Sequence, residues 1–207
     1  MIVTDAVRDY LERVRPRPDP VLAEMEAHGA RERIPIVMPG TGELLRVLAL
    51  ARGSRHALEV GTAIGVSTLY IARGLADGGT IVSFEIDPER HQAARTYLDR
   101  AGVLDRADLR LQDARHGLAS LRGTFDFAFV DGVKSEYEEY FDVLLPLLGT
   151  GAVLVVDNVL MGGSVAEGDT SERSTTARAF NERLLGHPDL TATVTPVGDG
   201  VLVAVKR

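Results

Sequence analysis

The sequence predicts a doubly wound, mostly parallel seven-stranded α/β sheet with an antiparallel last strand, and three observations carry that reading. From His56 onward, short apolar runs alternate with helical stretches, the pattern of a parallel sheet with crossover helices. Two of those runs, Phe127-Ala128-Phe129-Val130 and Val153-Leu154-Val155-Val156, are apolar at every position, as expected of strands covered on both faces. Near the end, Thr191–Thr195 and Val201–Val205 flank Gly198-Asp199-Gly200, a hairpin signal that appends an antiparallel pair.

The elements follow in order. Val3, Val7, Tyr10, Leu11 and Val14 recur at helical spacing until Pro16 and Pro18 end the helix. Asp19-Pro20 reads as a cap and first position for a second helix to about Gly29. A third helix after Gly40 presents Leu44, Leu45, Val47, Leu48 and Leu50. Residues 1–37 thus form an N-terminal helical cap and residues 38–207 the core of one domain. Within the core, strands are expected at His56–Val60, Thr80–Ile86, Asp108–Leu111, Phe125–Val130 and Ala152–Val156. The helices between them are expected at Val66–Ala76, Pro88–Ala101, Ala114–Leu121 and Glu136–Leu148. The stretch after the fifth strand, with Ser164, Ser171 and Ser174, reads as a polar loop.

Composition narrows the function. The chain has 207 residues, 45% hydrophobic and 26% charged, the profile of one folded domain. It contains no cysteine, which excludes disulfides, thiol catalysis and thiolate zinc sites. No apolar run is long enough for a membrane span, and the acids at Asp5, Asp9 and Glu12 do not suit a secretory signal, so a cytoplasmic protein is expected. A net charge of −7 disfavours a nucleic-acid partner. Of 23 basic residues only Lys134 and Lys206 are lysines, so an internal lysine raises the question of whether a deprotonatable amine is needed there.

In open α/β sheets, ligands bind at the carboxyl ends of the strands. Here those ends read Glu59-Val60-Gly61-Thr62, Glu85-Ile86-Asp87, Gln112-Asp113-Ala114, Asp131-Gly132-Val133-Lys134 and Asp157-Asn158, with an acid at each. Gly61-x-x-x-Gly65 either lets backbone approach a ligand or is a bare packing turn, and it lacks the Gly-x-Gly-x-x-Gly of dinucleotide folds, which counts against a nicotinamide-dependent oxidoreductase. Glu85 suits ribose hydroxyls, with a solvated charge or cap as its plain alternative. Asp113 could meet an adenine edge or simply cap the next helix. An acidic rim repels pyrophosphate and attracts a sulfonium such as that of S-adenosylmethionine. Asp131, Asp157 and Asn158 form a hard-oxygen set suited to magnesium, manganese or calcium, or else cap loops. Near such a cation and a helix N-terminus, Lys134 is a candidate general base; its plain alternative is an ion pair with a carboxylate such as Glu138. The five histidines do not cluster, and none has ligand spacing.

These residues resemble the S-adenosylmethionine- and divalent-cation-dependent O-methyltransferases, the family of catechol and caffeoyl-CoA O-methyltransferases. The likeness runs from about Met38 to the C-terminus through Leu58-Glu59-Val60-Gly61-Thr62 with Gly65 and Ser67, Glu85-Ile86-Asp87-Pro88, Phe125 to Lys134, Asp157 to Val165 and Pro196 to Gly200. The resemblance implies a class I methyltransferase sheet, usually in a homodimer. It places Glu59, Gly61 and Ser67 at the methionine part of the cofactor, Glu85 at the ribose, and Asp113 with Ala114 at the adenine. Met38 falls beside cofactor and substrate, Asp131, Asp157 and Asn158 match the metal ligands (magnesium foremost), and Lys134 matches the base, with Asp131 beside it in the catalytic and cofactor site. The implied reaction moves a methyl group to a metal-chelated hydroxyl of a small catechol-like aromatic. A hydroxylated tRNA base is the alternative acceptor, with arginines 13, 15, 17, 31 and 33 as its basic surface. Two departures border the acceptor: the family's Asp-Ala-Asp-Lys is Asp131-Gly132-Val133-Lys134 here, and Met161 replaces a common aromatic.

Overall fold

The computed structural model describes residues 4–166 and 168–207. Three helices come first, α1 (Asp5–Val14), α2 (Pro20–Glu32) and α3 (Pro39–Arg52). They are followed by β1 (His56–Val60), α4 (Val66–Gly74), β2 (Thr80–Glu85), α5 (Pro88–Arg100), β3 (Ala107–Leu111), α6 (Ala114–Ser120) and β4 (Phe125–Val130). The chain closes with α7 (Tyr137–Leu144), β5 (Leu148–Val156), α8 (Glu172–Leu185), β6 (Leu190–Thr195) and β7 (Val201–Lys206). Val3, expected on the first helix, lies outside the described residues.

The seven strands form one sheet in the order β3-β2-β1-β4-β5-β7-β6. β1 to β5 pair in parallel, and β7 runs antiparallel to both of its neighbours. The expected doubly wound sheet is therefore present. Its packing shows why the central strands are apolar throughout. Ala57, Phe127, Phe129, Val153 and Val155 face one core with Met25, Leu45, Leu69 and Leu98 from α2 to α5. Leu58, Ala128, Val130, Leu154 and Val156 alternate to the other face with Leu118, Phe141, Phe180 and Leu184 from α6 to α8. Period-2 side chains with a core on each side leave no polar position along Phe127–Val130 of β4 or Ala152–Val156 of β5. Winding reverses between β1 and β4, so the cleft at the switch point opens at Gly61 and Asp131.

Three expectations need correction. The stretch after β5 is not loop throughout: α8 occupies Glu172–Leu185, capped by the Ser171 hydroxyl, which accepts the Ser174 N–H. Its apolar positions are few, but Phe180 and Leu184 pack into the second core and Ser174 is buried with them. The helix read to Leu148 stops at Leu144, a short 3₁₀ turn spans Leu145–Leu147, and β5 begins at Leu148. Pro146 supplies the reason, since it lacks the N–H that an α-helix needs there. α2 continues past Gly29 to Glu32 and ends at Arg33, which takes a left-handed conformation.

The apolar stripe of α1 is exposed at Val7, Tyr10, Leu11 and Val14, as are Val47 and Leu50 of α3. Among the described residues, no helix is long and apolar enough to cross a membrane.

Candidate active site

The carboxyl edge of the sheet carries a cleft of about 400 Å³. Of the residues expected to bind a cofactor, Gly61, Ser67, Glu85, Asp113, Ala114 and Asp131 line it. The loop after β1 is shaped for close approach. Gly61 has φ 96°, and a Cβ there would lie 2.3 Å from the Asp131 carbonyl oxygen, so only glycine lets the β1 and β4 ends meet. Gly65 then starts α4, whose first turn brings Ser67 to the cleft.

Glu85 holds this loop against β2. One carboxylate oxygen accepts the Ala63 N–H at 2.7 Å, and the other accepts the N–H groups of Ile86 and Asp87 at 2.9 Å. Asp113 does what its plain alternative required, capping α6 by accepting the Arg115 N–H at 2.8 Å. The Arg115 guanidinium also grips both Asp113 oxygens, and that pairing holds the carboxyl down at about 2. Arg115 lines the cleft as well, a role not foreseen from sequence.

Two expected cofactor contacts do not lie on the cleft wall. Met38 stands exposed at the start of α3, near Gly198, although Pro35, Ile36 and Val37 before it do line the cleft. Glu59 is fully buried beneath the loop. One of its oxygens accepts Thr68 Oγ1 and Ser83 Oγ at 2.5 Å each, while Oε1 has no hydrogen-bond partner. Burial pushes this carboxyl up to about 7, against the pull of the Ser67, Ser83 and Thr68 hydroxyls.

On the other side of the cleft, Lys134 begins a short 3₁₀ turn after β4. Its Nζ donates to Asp131 Oδ1 at 2.9 Å and to Asn158 Oδ1 at 2.7 Å, and it also contacts the Tyr137 hydroxyl. The expected lysine, aspartate and asparagine are thus brought together, and the ion pair that Lys134 makes is with Asp131, not Glu138. Asp157 is buried beside them, with Oδ1 accepting the Asn158 N–H at 2.8 Å. Burial first, and then the charge of Asp131, pushes the Asp157 carboxyl up to about 7. Asn158 takes φ 56° and Met161 φ 53°, left-handed backbone that costs a non-glycine residue energy and collects at functional sites.

Tyr137, like Arg115, belongs to this candidate site without having been expected from sequence. It is buried, donates its hydroxyl to the Asp157 carbonyl at 3.3 Å, and packs its ring edge-on against Phe180. Burial and the charges of Asp131 and Asp157 hold its phenol neutral, well above the ordinary range. The signal available in sequence was an aromatic three positions past Lys134.

A second cleft, also of about 400 Å³, lies between α7 and α8 and meets the first at Val133, Lys134 and Asn158.

Comparison with known proteins identifies the family. A catechol O-methyltransferase of Mycobacterium tuberculosis is 37% identical over 198 residues, 91% of this chain and 90% of that protein. A catechol O-methyltransferase of Niastella koreensis is 34% identical over 181 residues, 83% and 82% of the two chains. The crystal structure of an O-methyltransferase from Bacillus cereus in complex with SAH superposes with a TM-score of 0.87 at 32% identity, covering 98% of this chain and 97% of that one. The family model described as O-methyltransferase matches residues 17–207, so the likeness takes in α2 as well as the sheet, and the chain belongs to the O-methyltransferase family.

Proposed function

We propose that this enzyme transfers a methyl group from S-adenosylmethionine to one hydroxyl of a small catechol-like aromatic, with a divalent cation at Asp131, Asp157 and Asn158. The observation that carries the reading is the meeting of Lys134, Asp131 and Asn158 at the line where two clefts join.

The residues of the site suit both groups. For the donor, the first cleft sets the carboxylates of Glu85, Asp113, Asp131 and Glu136 against Arg90, Arg115 and Lys134, a balance slightly on the acidic side that tolerates a cation. For the metal, two side-chain oxygens from different strand ends already converge on one cationic nitrogen, which stands where positive charge is accommodated. Asp157 adds a carboxyl whose pKa is raised first by burial and then by the charge of Asp131, so a cation beside it would favour its ionised form. Among the described residues, no three His, Cys, Asp or Glu side chains are arranged to hold a metal, so the set depends on the Asn158 carboxamide. Two carboxylates and a carboxamide suit a hard cation, magnesium foremost.

S-adenosylmethionine supplies an electrophilic methyl carbon, and the cation supplies charge that makes an acceptor hydroxyl easier to deprotonate. The chain does the rest. Gly61 and Ser67 let the donor lie against the β1 loop, Glu85 offers its carboxylate to a ribose, and Asp113 with Ala114 borders the adenine position. Lys134 Nζ is placed to take the proton of the attacking hydroxyl, and Asp131 and Tyr137 hold that amine in position. Catalysis is then mainly positioning and charge placement.

The exposed stripes of α1 and α3 are the surface we assign to a second copy of the chain, giving a homodimer. A tRNA acceptor has less support, because Arg15 is paired with Glu12 and Glu26, and Arg31 with Glu32.

The test is methylation of catechol with and without chelator. Activity lost in chelator and restored by magnesium is expected; full activity in chelator removes the metal from the mechanism. S-adenosylhomocysteine should raise the melting temperature where NAD does not.

A further inference from the structure

We infer that Asp199, in the turn between β6 and β7, is a positioning residue for Asn158: its carboxylate pins the loop after β5 and so fixes the aim of the Asn158 carboxamide. The inference rests on the function proposed above. The loop needs an anchor. Asn158, Met161, Gly162 and Gly163 take φ of 56°, 53°, 66° and 94°, and for the two that are not glycine such backbone persists only where its surroundings hold it. The hairpin supplies the hold. β5 pairs with β7 up to Val156, opposite Leu202, and bonding to the hairpin resumes at Val159, whose N–H donates to the Gly200 carbonyl at 3.0 Å. Asp157 and Asn158 thus form a bulge between two fixed points, and the bulge carries Asn158 to Lys134.

Past the bulge, the turn grips the loop twice more. The Leu160 N–H donates to the Asp199 carbonyl at 3.0 Å, and the Gly162 N–H donates to Asp199 Oδ1 at 2.6 Å. Gly200, at φ 82°, lets the turn press on Leu160, since a Cβ there would lie 2.3 Å from Leu160 Cγ. From the other side, Asn181 of α8 donates Nδ2 to the Val159 carbonyl at 2.8 Å. The Asp199 carboxylate is the side-chain part of the grip from the turn, and a carboxylate accepting a backbone N–H is a short, directional tie. Its charge also reaches Asp157, so the experiment has to separate position from charge.

The probe is manganese alone, titrated into the full chain by electron paramagnetic resonance with no acceptor present. Asp199→Ala and Asp199→Glu should each weaken the manganese Kd about tenfold, the effect of loosening a group that orients a ligand, because one removes the acceptor oxygen and the other moves it. Asp199→Asn keeps an oxygen for the Gly162 N–H without the charge and should stay within about threefold of wild type. The Kd for S-adenosylhomocysteine, expected within about twofold of wild type throughout, reports whether each variant is folded. Should Asp199→Ala fail that check, the Glu and Asn variants decide. An unaltered manganese Kd in Asp199→Glu overturns the inference. So does a loss in Asp199→Asn as large as in the other variants, since charge alone would then be at work. If wild type binds no manganese, the proposed metal site fails, and hydrogen exchange decides the anchor by itself. Faster exchange over residues 158–163 in Asp199→Glu but not in Asp199→Asn, with α4 and α5 unaltered, supports the inference, whereas unaltered exchange there, or equal acceleration in both, overturns it.

Discussion

The two sides of Lys134 are built by different means. On the β1–β3 side, the groups on the cleft wall are held mainly by backbone: Glu85 by three N–H groups, Asp113 by the first turn of its own helix together with the Arg115 side chain, and the Gly61 loop by contact with the Asp131 carbonyl. On the β4–β5 side, the groups hold one another. Lys134, Asp131, Asn158 and Tyr137 meet through side chains from three segments, and Asn158 and Met161 sit in strained backbone. Backbone anchoring preorganises a site whatever its neighbours do, while a side-chain cluster is only as rigid as the packing behind it. Under the proposed function, the donor side is the preorganised one, and the acceptor side is where a change of partner can alter what is bound.

The largest expected effect tests whether the sides are separable. Lys134→Met should lower kcat by about 10²–10⁴-fold, the usual range for a general base, with the Kd for S-adenosylhomocysteine within about twofold of wild type. An equal loss in both would mean that the lysine serves donor binding too. Gly61→Ala should cross the division, because its Cβ would strike Asp131 from a positive-φ backbone. A destabilisation of about 3 kcal/mol is expected in chemical denaturation, together with weaker donor binding.

Glu59→Gln comes next, and its signature is a pH dependence. The folded carboxyl titrates at about 7, up from 4.5, so the folded state keeps a proton that the unfolded state releases between those values. The stability it contributes is fully present below pH 4.5 and is lost as pH rises through 7. The glutamine variant should gain about 2 kcal/mol over wild type above pH 7, after allowance for relaxation. Part of the slope should remain, because Asp157 rises from 3.8 to about 7 and titrates in the same window. An unaltered denaturation profile across pH 4–8 would show that Glu59 stays ionised in the fold. The smallest effect is Asp113→Ala, which removes the α6 cap and should cost about 1 kcal/mol by the same measurement.

Much of this molecule is legible in its residues, and the exceptions have identifiable causes. α8 escaped notice because its core contacts are few and its start is rich in serine and threonine, residues that favour turns and caps unless packing overrides them. Gly132, which departs from the family's alanine, makes sense only in space. A Cβ there would lie 2.9 Å from the Tyr140 ring and 3.1 Å from Val60. Val133 and Met161, the other departures, both border the α7–α8 cleft, so the differences in sequence converge on one place in the fold.

Chain order and hydrophobic period alone determined the sheet, its two covered faces and the acid at the end of each parallel strand. Those features are local: alternation sets which face a residue takes, and strand direction sets which edge its successor reaches. The tertiary structure decided which of those acids meet a partner. Lys134 turns to Asp131 and Asn158 and not to Glu138, Met38 faces outward, and Tyr137 closes the space behind the amine. Such contacts join residues from separate elements, and their geometry is set by how the helices pack on the sheet, which no local pattern encodes.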